Sequence, residues 1–192
     1  MNRNFLRILF LFLLPFLLYA QGTNFSPQVT KFISYDEPVI ALIHANIIDG
    51  TGTAAKADQT VIIENGKIFE TGDTKSIKIP AGAKVLDLKG KSLLPGFVMM
   101  HEHLFYPAGN MQYNEETHSF PALYLAGGVT TMRTTGSLEP YTDINIRDWI
   151  NKGLMPGPKI DVTGPYLNGP GLPLLQMKTL KDAEDAKKMV NY

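Results

Sequence analysis

Leu93-Leu94-Pro95-Gly96-Phe97-Val98-Met99-Met100-His101-Glu102-His103 is the stretch on which the reading of this chain turns. A short apolar run opens after a Pro-Gly breaker and closes before a loop containing Pro, Gly and Asn, Pro107 to Asn110. That pattern predicts a buried strand. Side chains alternate faces along a strand. His101 and His103 are therefore expected on one side and Glu102 on the other. Two imidazoles from one strand end can serve one metal ion as neighbouring ligands.

Upstream, residues 38–95 read as short strands. Val39 to Ile43 and Ala45 to Ile48 are rich in β-formers, and Asp49-Gly50-Thr51-Gly52 is a turn signal. Val61 to Glu64 and Lys67 to Glu70 flank Asn65-Gly66, the pair that supplies the positive φ angles of a type I′ hairpin. Val85 to Leu88 and Ser92 to Leu94 add two more strands around Lys89-Gly90-Lys91. This part is expected to be a small all-β unit. Residues 21–37, between the N-terminal segment and Pro38, read as a linker or an ordered arm.

Downstream of Pro95, strands and helices alternate. Phe97 to His103 is the first predicted strand. A helix is expected from a Ser119 N-cap, with Pro121 in its first turn and Gly127-Gly128 as its stop. Val129 to Thr134 is the second strand, followed by a helix capped by Asp143 and ended at Gly153. Lys159 to Thr163 is the third strand, with a Gly/Pro-rich loop from Pro165 to Pro173. Thr179 is expected to open a last helix that runs to Tyr192, with Asp182 as a loose capping-box partner. Three strand–helix units in succession predict parallel strands with right-handed crossovers. About 100 residues follow Pro95, whereas a complete eight-stranded barrel takes roughly 250. The fold class expected is thus α/β: a small all-β unit followed by the first three βα units of an incomplete (β/α)8 TIM barrel.

Composition narrows the chemistry. The 192 residues carry no formal net charge, which gives no reason to expect nucleic acid as a partner. There is no cysteine, so thiolate metal sites, disulfides and a cysteine nucleophile are excluded. Any metal must sit on nitrogen and oxygen ligands. Residues 1–20 have the layout of a secretory signal peptide: Arg3 and Arg7, an apolar run from Ile8 to Leu18 interrupted by Pro15, and Ala20 before Gln21. The run is shorter than the roughly 20 residues that span a bilayer. The mature chain is expected to be exported, periplasmic or extracellular, with no membrane attachment after cleavage.

Taken together, Ile47 to Gly52, Val61 to Ile68, Leu94-Pro95-Gly96-Phe97 leading into His101-Glu102-His103, Gly127 to Arg133 and Gly157 to Ile160 resemble the amidohydrolase superfamily. The likeness is greatest to its imidazolonepropionase-like and Xaa-Pro dipeptidase-like secreted members. A lone His-x-His carries little information; its Pro-Gly prelude, the preceding hairpin and the following Gly-Val-Thr-Thr make the match specific. The resemblance implies a β-sandwich beside a (β/α)8 barrel, with His101 and His103 as ligands of a divalent metal, most often zinc, as one or two ions. It implies hydrolysis of a carbon–nitrogen amide bond in a small-molecule or dipeptide-like substrate, with the remaining ligands on later strands. Met99 and Thr134 stand where many members have Asp.

Loops after barrel strands build the active site in such folds. Tyr106 and Asn110, after the first strand, and Tyr166 and Asn168, after the third, are therefore substrate-contact candidates. No residue is assigned a catalytic role. Glu102 is expected to face the helix layer and to make a structural ion pair or hydrogen bond. His44 is expected to be structural, His118 to be a surface or capping residue, Arg133 to need a charge partner if buried, and Met99 and Met100 to fill core. Domain bounds follow as 1–20 signal peptide, 21–37 linker or arm, 38–95 sandwich and 96–192 barrel part. The chain is expected to be a truncated form of a metal-dependent amidohydrolase. A non-catalytic binding protein and an inactive truncated product stay open, as does a homo-oligomer.

Overall fold

The computed structural model describes residues 24–171 and 176–191. The expected signal peptide lies outside the described residues, as does Pro173. From Asn24 onward the expected linker is an ordered arm. It holds a one-turn helix, α1 (Pro27–Thr30), with Ser26 as N-cap. The Ser26 N–H donates to the Gly153 carbonyl and its hydroxyl to the Leu154 carbonyl, both over 2.9 Å. Among the described residues no helix is long and apolar enough to cross a membrane.

Five strands follow: β1 (Val39–Ile47), β2 (Lys56–Glu64), β3 (Lys67–Asp73), β4 (Lys84–Asp87) and β5 (Ser92–Leu93). They form one mixed sheet in the order β3-β2-β1-β4, with β5 following β4 along the same edge of β1. A sandwich needs a second sheet over one face, and the described residues of this region supply a single sheet. The β2–β3 hairpin turns on Asn65 and Gly66 at φ +49° and +73°, as the Asn-Gly signal predicts. Val39 to Ile47 is one strand rather than two. His44 sits at a break in its register opposite β2, in a left-handed conformation (φ +59°), and the strand continues past it. The His44 ring is held by Asp58 over 2.7 Å, a structural pairing.

The second region is built on three parallel strands, β6 (Phe97–Glu102), β9 (Val129–Thr134) and β10 (Lys159–Asp161), in the order β10-β9-β6. Helices α2 (Ser119–Ala126) and α3 (Pro140–Asn151) lie between them in sequence. Leu104, Val129, Met132, Ile146 and Ile160 make the buried core, with Phe120, Tyr124 and Ile150 packed against it. The loop entering β10 packs closely on α3 at Gly157, where an added Cβ would displace the Ile150 side chain. Parallel pairing and both glycine helix stops agree with the sequence pattern.

Several elements differ from expectation. The loop after β6 is a β-hairpin, β7 (Phe105–Gly109) and β8 (Gln112–Glu115), turning on Asn110 and Met111 at φ +49° and +59°. Helix α3 begins three residues before Asp143, because Pro140 at its first turn fixes φ for helix entry. Asp143 lies inside that turn and is buried. Thr179, expected to open a helix, lies instead in a strand, β12 (Lys178–Thr179), paired with β11 (Leu167–Asn168). The last helix, α4, spans Ala183–Val190, and its N-cap is Asp182, which accepts from the Asp185 N–H over 2.8 Å. Met99 and Met100 are exposed rather than core filling, since β6 is an edge strand among the described residues.

Candidate metal centre

His101 is the fifth residue of β6, and His103 follows the strand by one residue. The register against β9 slips by one residue between Met99 and Glu102, so β6 bulges at its carboxyl end. Bulges re-aim side chains at such positions. Here the two imidazoles stay together, with ring centroids 5.4 Å apart and planes at 86°. Glu102 goes the other way, into the helix layer. Its carboxylate accepts from the Tyr124 hydroxyl of α2 over 2.8 Å. The same hydroxyl lies 3.0 Å from the His103 carbonyl oxygen. The expected alternation of faces thus holds across the motif.

His103 is half-buried inside an aromatic group. Its ring centroid is 4.6 Å from Phe105 and 5.9 Å from Tyr166, and Phe105 meets Tyr113 edge-on at 5.4 Å. Tyr166 Oη stands 3.3 Å from His103 Nε2. Burial, the largest cause, pushes the His103 imidazole below its ordinary pKa; the Gly136 backbone opposes this, His101 adds to it and Glu102 opposes it. The ring is thereby kept in the neutral form that a metal requires. His103 Nδ1 is buried and has no hydrogen-bond partner. A buried polar nitrogen left so is costly, and it suits a residue whose partner is a cation. The two histidines therefore fit as two ligands of one divalent ion. Among the described residues no group of three or more His, Cys, Asp or Glu could hold a metal.

The four substrate-contact candidates separate. Tyr166 touches His103. Tyr106, on β7, is largely exposed and meets Phe120 of α2 edge-on at 6.3 Å. Asn110 forms the turn of the β7–β8 hairpin. Asn168 lies on β11 with its Nδ2 buried and unpartnered, and its carbonyl accepts from the Leu180 N–H. His118 occupies the N-cap of α2 without a capping bond, and its Nδ1 is 2.9 Å from the Thr117 hydroxyl. Arg133 pairs with Asp161 of the adjacent strand over 3.5 Å.

Three contributors escaped the sequence reading. Tyr124 is one turn after Phe120, and this i, i+4 spacing marks the inward face of α2. Gly136 has φ +79°, and a Cβ there would lie 2.8 Å from the Tyr166 ring; a Gly shortly after a strand was the available signal. Glu115, at the end of β8, has both carboxylate oxygens buried and unpartnered. Burial, then the charges of Asp143 and Glu139, pushes its pKa up to about 7.

No family model matches the chain. Curated sequences do. The chain is 35% identical over 83 residues to a dihydroorotase of Trichlorobacter lovleyi, covering 43% of this chain and 19% of that protein. It is 31% identical over 112 residues to an imidazolonepropionase of Streptomyces griseus, covering 57% of this chain and 28% of the relative. Its fold superposes on a Bifidobacterium longum protein assigned as a prolidase, with TM-score 0.58 and 30% identity over 80% of this chain and 37% of the other. The relatives belong to the amidohydrolase superfamily. The likeness first drawn from Pro95-Gly96 and His101-Glu102-His103 is thus borne out. The structural neighbours are amidohydrolase TIM-barrel proteins, and the chain itself is mixed α/β. It matches 19% to 28% of the length of these two curated amidohydrolase relatives.

Proposed function

We propose that this chain contributes the opening strands and first two ligands of a metal-dependent amidohydrolase that cleaves a carbon–nitrogen amide bond in a small-molecule or dipeptide-like substrate. The observation that carries the reading is the side-by-side placement of His101 and His103 at the carboxyl end of β6, with His103 Nδ1 buried and unpartnered. In this reading β6, β9 and β10 are the first three strands of an eight-stranded barrel, and residues 38–95 belong to a sandwich beside it. The catalytic face is the carboxyl end of the parallel strands, where the His pair and the loops after β6, β9 and β10 meet.

His101 and His103 would hold the ion, with zinc the favoured metal. When bound, a divalent ion lowers the pKa of water and polarises a carbonyl. This chain's residues prepare the place. Burial keeps the His103 imidazole neutral, and Tyr124 ties the strand end to α2 through Glu102. Phe105, Tyr113 and Tyr166 form an apolar wall that excludes water beside His103. Tyr166 is the candidate best placed to touch substrate, and Tyr106, Asn110 and Asn168 remain in the loops that would surround it. Cleavage after Ala20 would deliver the protein to the periplasm or the medium.

The test is a cobalt(II) and zinc(II) titration of the chain, alone and with His101→Ala and His103→Ala, alongside hydrolysis assays on dipeptides and cyclic amides. Binding that disappears in either variant supports the reading. A wild-type chain that folds and binds neither ion removes it.

A further inference from the structure

Tyr166 reaches His103 by an unusual route. Residue 136 is a glycine in the left-handed region, and its missing side chain leaves the space that the Tyr166 ring fills. The loops after β9 and β10 are also fastened to each other. Tyr166 N–H donates to the Ser137 carbonyl over 3.0 Å, and Ser137 N–H to the Gly164 carbonyl over 3.1 Å. Gly136 N–H donates to the Thr163 hydroxyl over 2.9 Å. Thr163 N–H in turn donates to the Thr134 hydroxyl over 2.9 Å, and Thr134 is fully buried. Tyr166 is thus held by two strands at once, and its ring closes a triangle with His103 and Phe105 at centroid distances of 4.6, 5.9 and 6.1 Å.

We propose that Tyr166, seated on Gly136, is a positioning residue for His103. Its ring sets the plane of the imidazole, and its hydroxyl, 3.3 Å from Nε2, holds that edge of the ring by a hydrogen bond. The inference rests on the reading of His103 as a ligand, and it extends that reading to a residue on the third strand's loop. A group that orients a ligating imidazole decides the direction its nitrogens face. No part of the clamp depends on the ion being present: packing and hydrogen bond exist between protein groups alone.

The experiment records the imidazole 15N resonances of His103 in the wild type, Tyr166→Phe, Tyr166→Ala and Gly136→Ala, with cobalt(II) titrations of each. Tyr166→Ala and Gly136→Ala are expected to shift the His103 imidazole resonances, as the ring loses its packing partner, and to weaken cobalt(II) binding about tenfold. Tyr166→Phe keeps the ring contact, so it is expected to retain cation affinity within about threefold. Should Gly136→Ala fail to fold, Tyr166→Ala carries the test. His103 resonances unchanged in a folded Tyr166→Ala protein overturn the proposal. If the wild type binds no cobalt(II) and Tyr166→Ala still alters the His103 ring, the clamp stands and the metal reading falls.

Discussion

The Tyr124 hydroxyl donates to the Glu102 carboxylate over 2.8 Å, joining helix α2 to the strand residue between the two histidines. Burial, reinforced by that carboxylate, pushes Tyr124 ionisation well above the ordinary phenol range, so the hydroxyl stays a donor at any working pH. Removing it leaves a part-buried carboxylate without this donor. Tyr124→Phe is expected to cost about 1–3 kcal/mol, read as a lower urea midpoint at unchanged slope. An unchanged midpoint would mean that water replaces the bond without loss.

Stability should depend on pH through Glu115. The folded carboxyl titrates at about 7, against an ordinary 4.5. Between those values the folded chain holds a proton that the unfolded chain has released. The group's contribution is complete below about 4.5 and is lost as pH rises through about 7. Asp143, whose pKa burial also raises against the opposing Ser137 hydroxyl, acts in the same sense. Thermal melts from about pH 5 to pH 8 should show a falling midpoint in the wild type and a shallower fall in Glu115→Gln. Parallel curves for the two proteins would assign the dependence elsewhere.

Gly157→Ala places a Cβ into the Ile150 side chain and against Pro121, where α3 meets α2. Overpacking of this kind is expected to cost about 1–3 kcal/mol. Gly82→Ala is a useful contrast: it meets nothing within 4 Å, yet φ is +82°, so its cost is conformational and about 1 kcal/mol. Chemical denaturation reads both losses, and a Gly157→Ala protein as stable as its parent would contradict the assignment.

Ile146 is fully buried at the centre of the second region. Ile146→Ala is expected to lose about 2–5 kcal/mol and Ile146→Val about 0.5–1.5 kcal/mol. A denaturant series that finds the alanine variant as stable as the parent would show that this helix does not anchor the sheet.

What the sequence disclosed follows how local each signal is. Asn65-Gly66 encodes its own turn, and Gly127-Gly128 and Gly153 encode their own helix ends, so these are readable without tertiary information. The β7–β8 hairpin was hidden because its turn uses Asn110 and Met111, and a methionine at positive φ carries no turn signature. Asp143 resembled a cap because Asp favours caps, but it is drawn inside toward Ser137. Thr179 lost its helix to a partner strand, where it pairs with Asn168. At the site, alternation within six residues was enough to pair His101 with His103. Tyr166 was found as a loop residue after the third strand, but its contact with His103 and its seat on Gly136 were not, since that meeting depends on how two separate loops are fastened.

Strands β6 and β10 border the parallel sheet with one described neighbour each, and Phe97, Val98 and Met100 stand exposed along β6. In the proposed barrel each of these borders would meet a further strand, which would pair its amides and cover that oily flank.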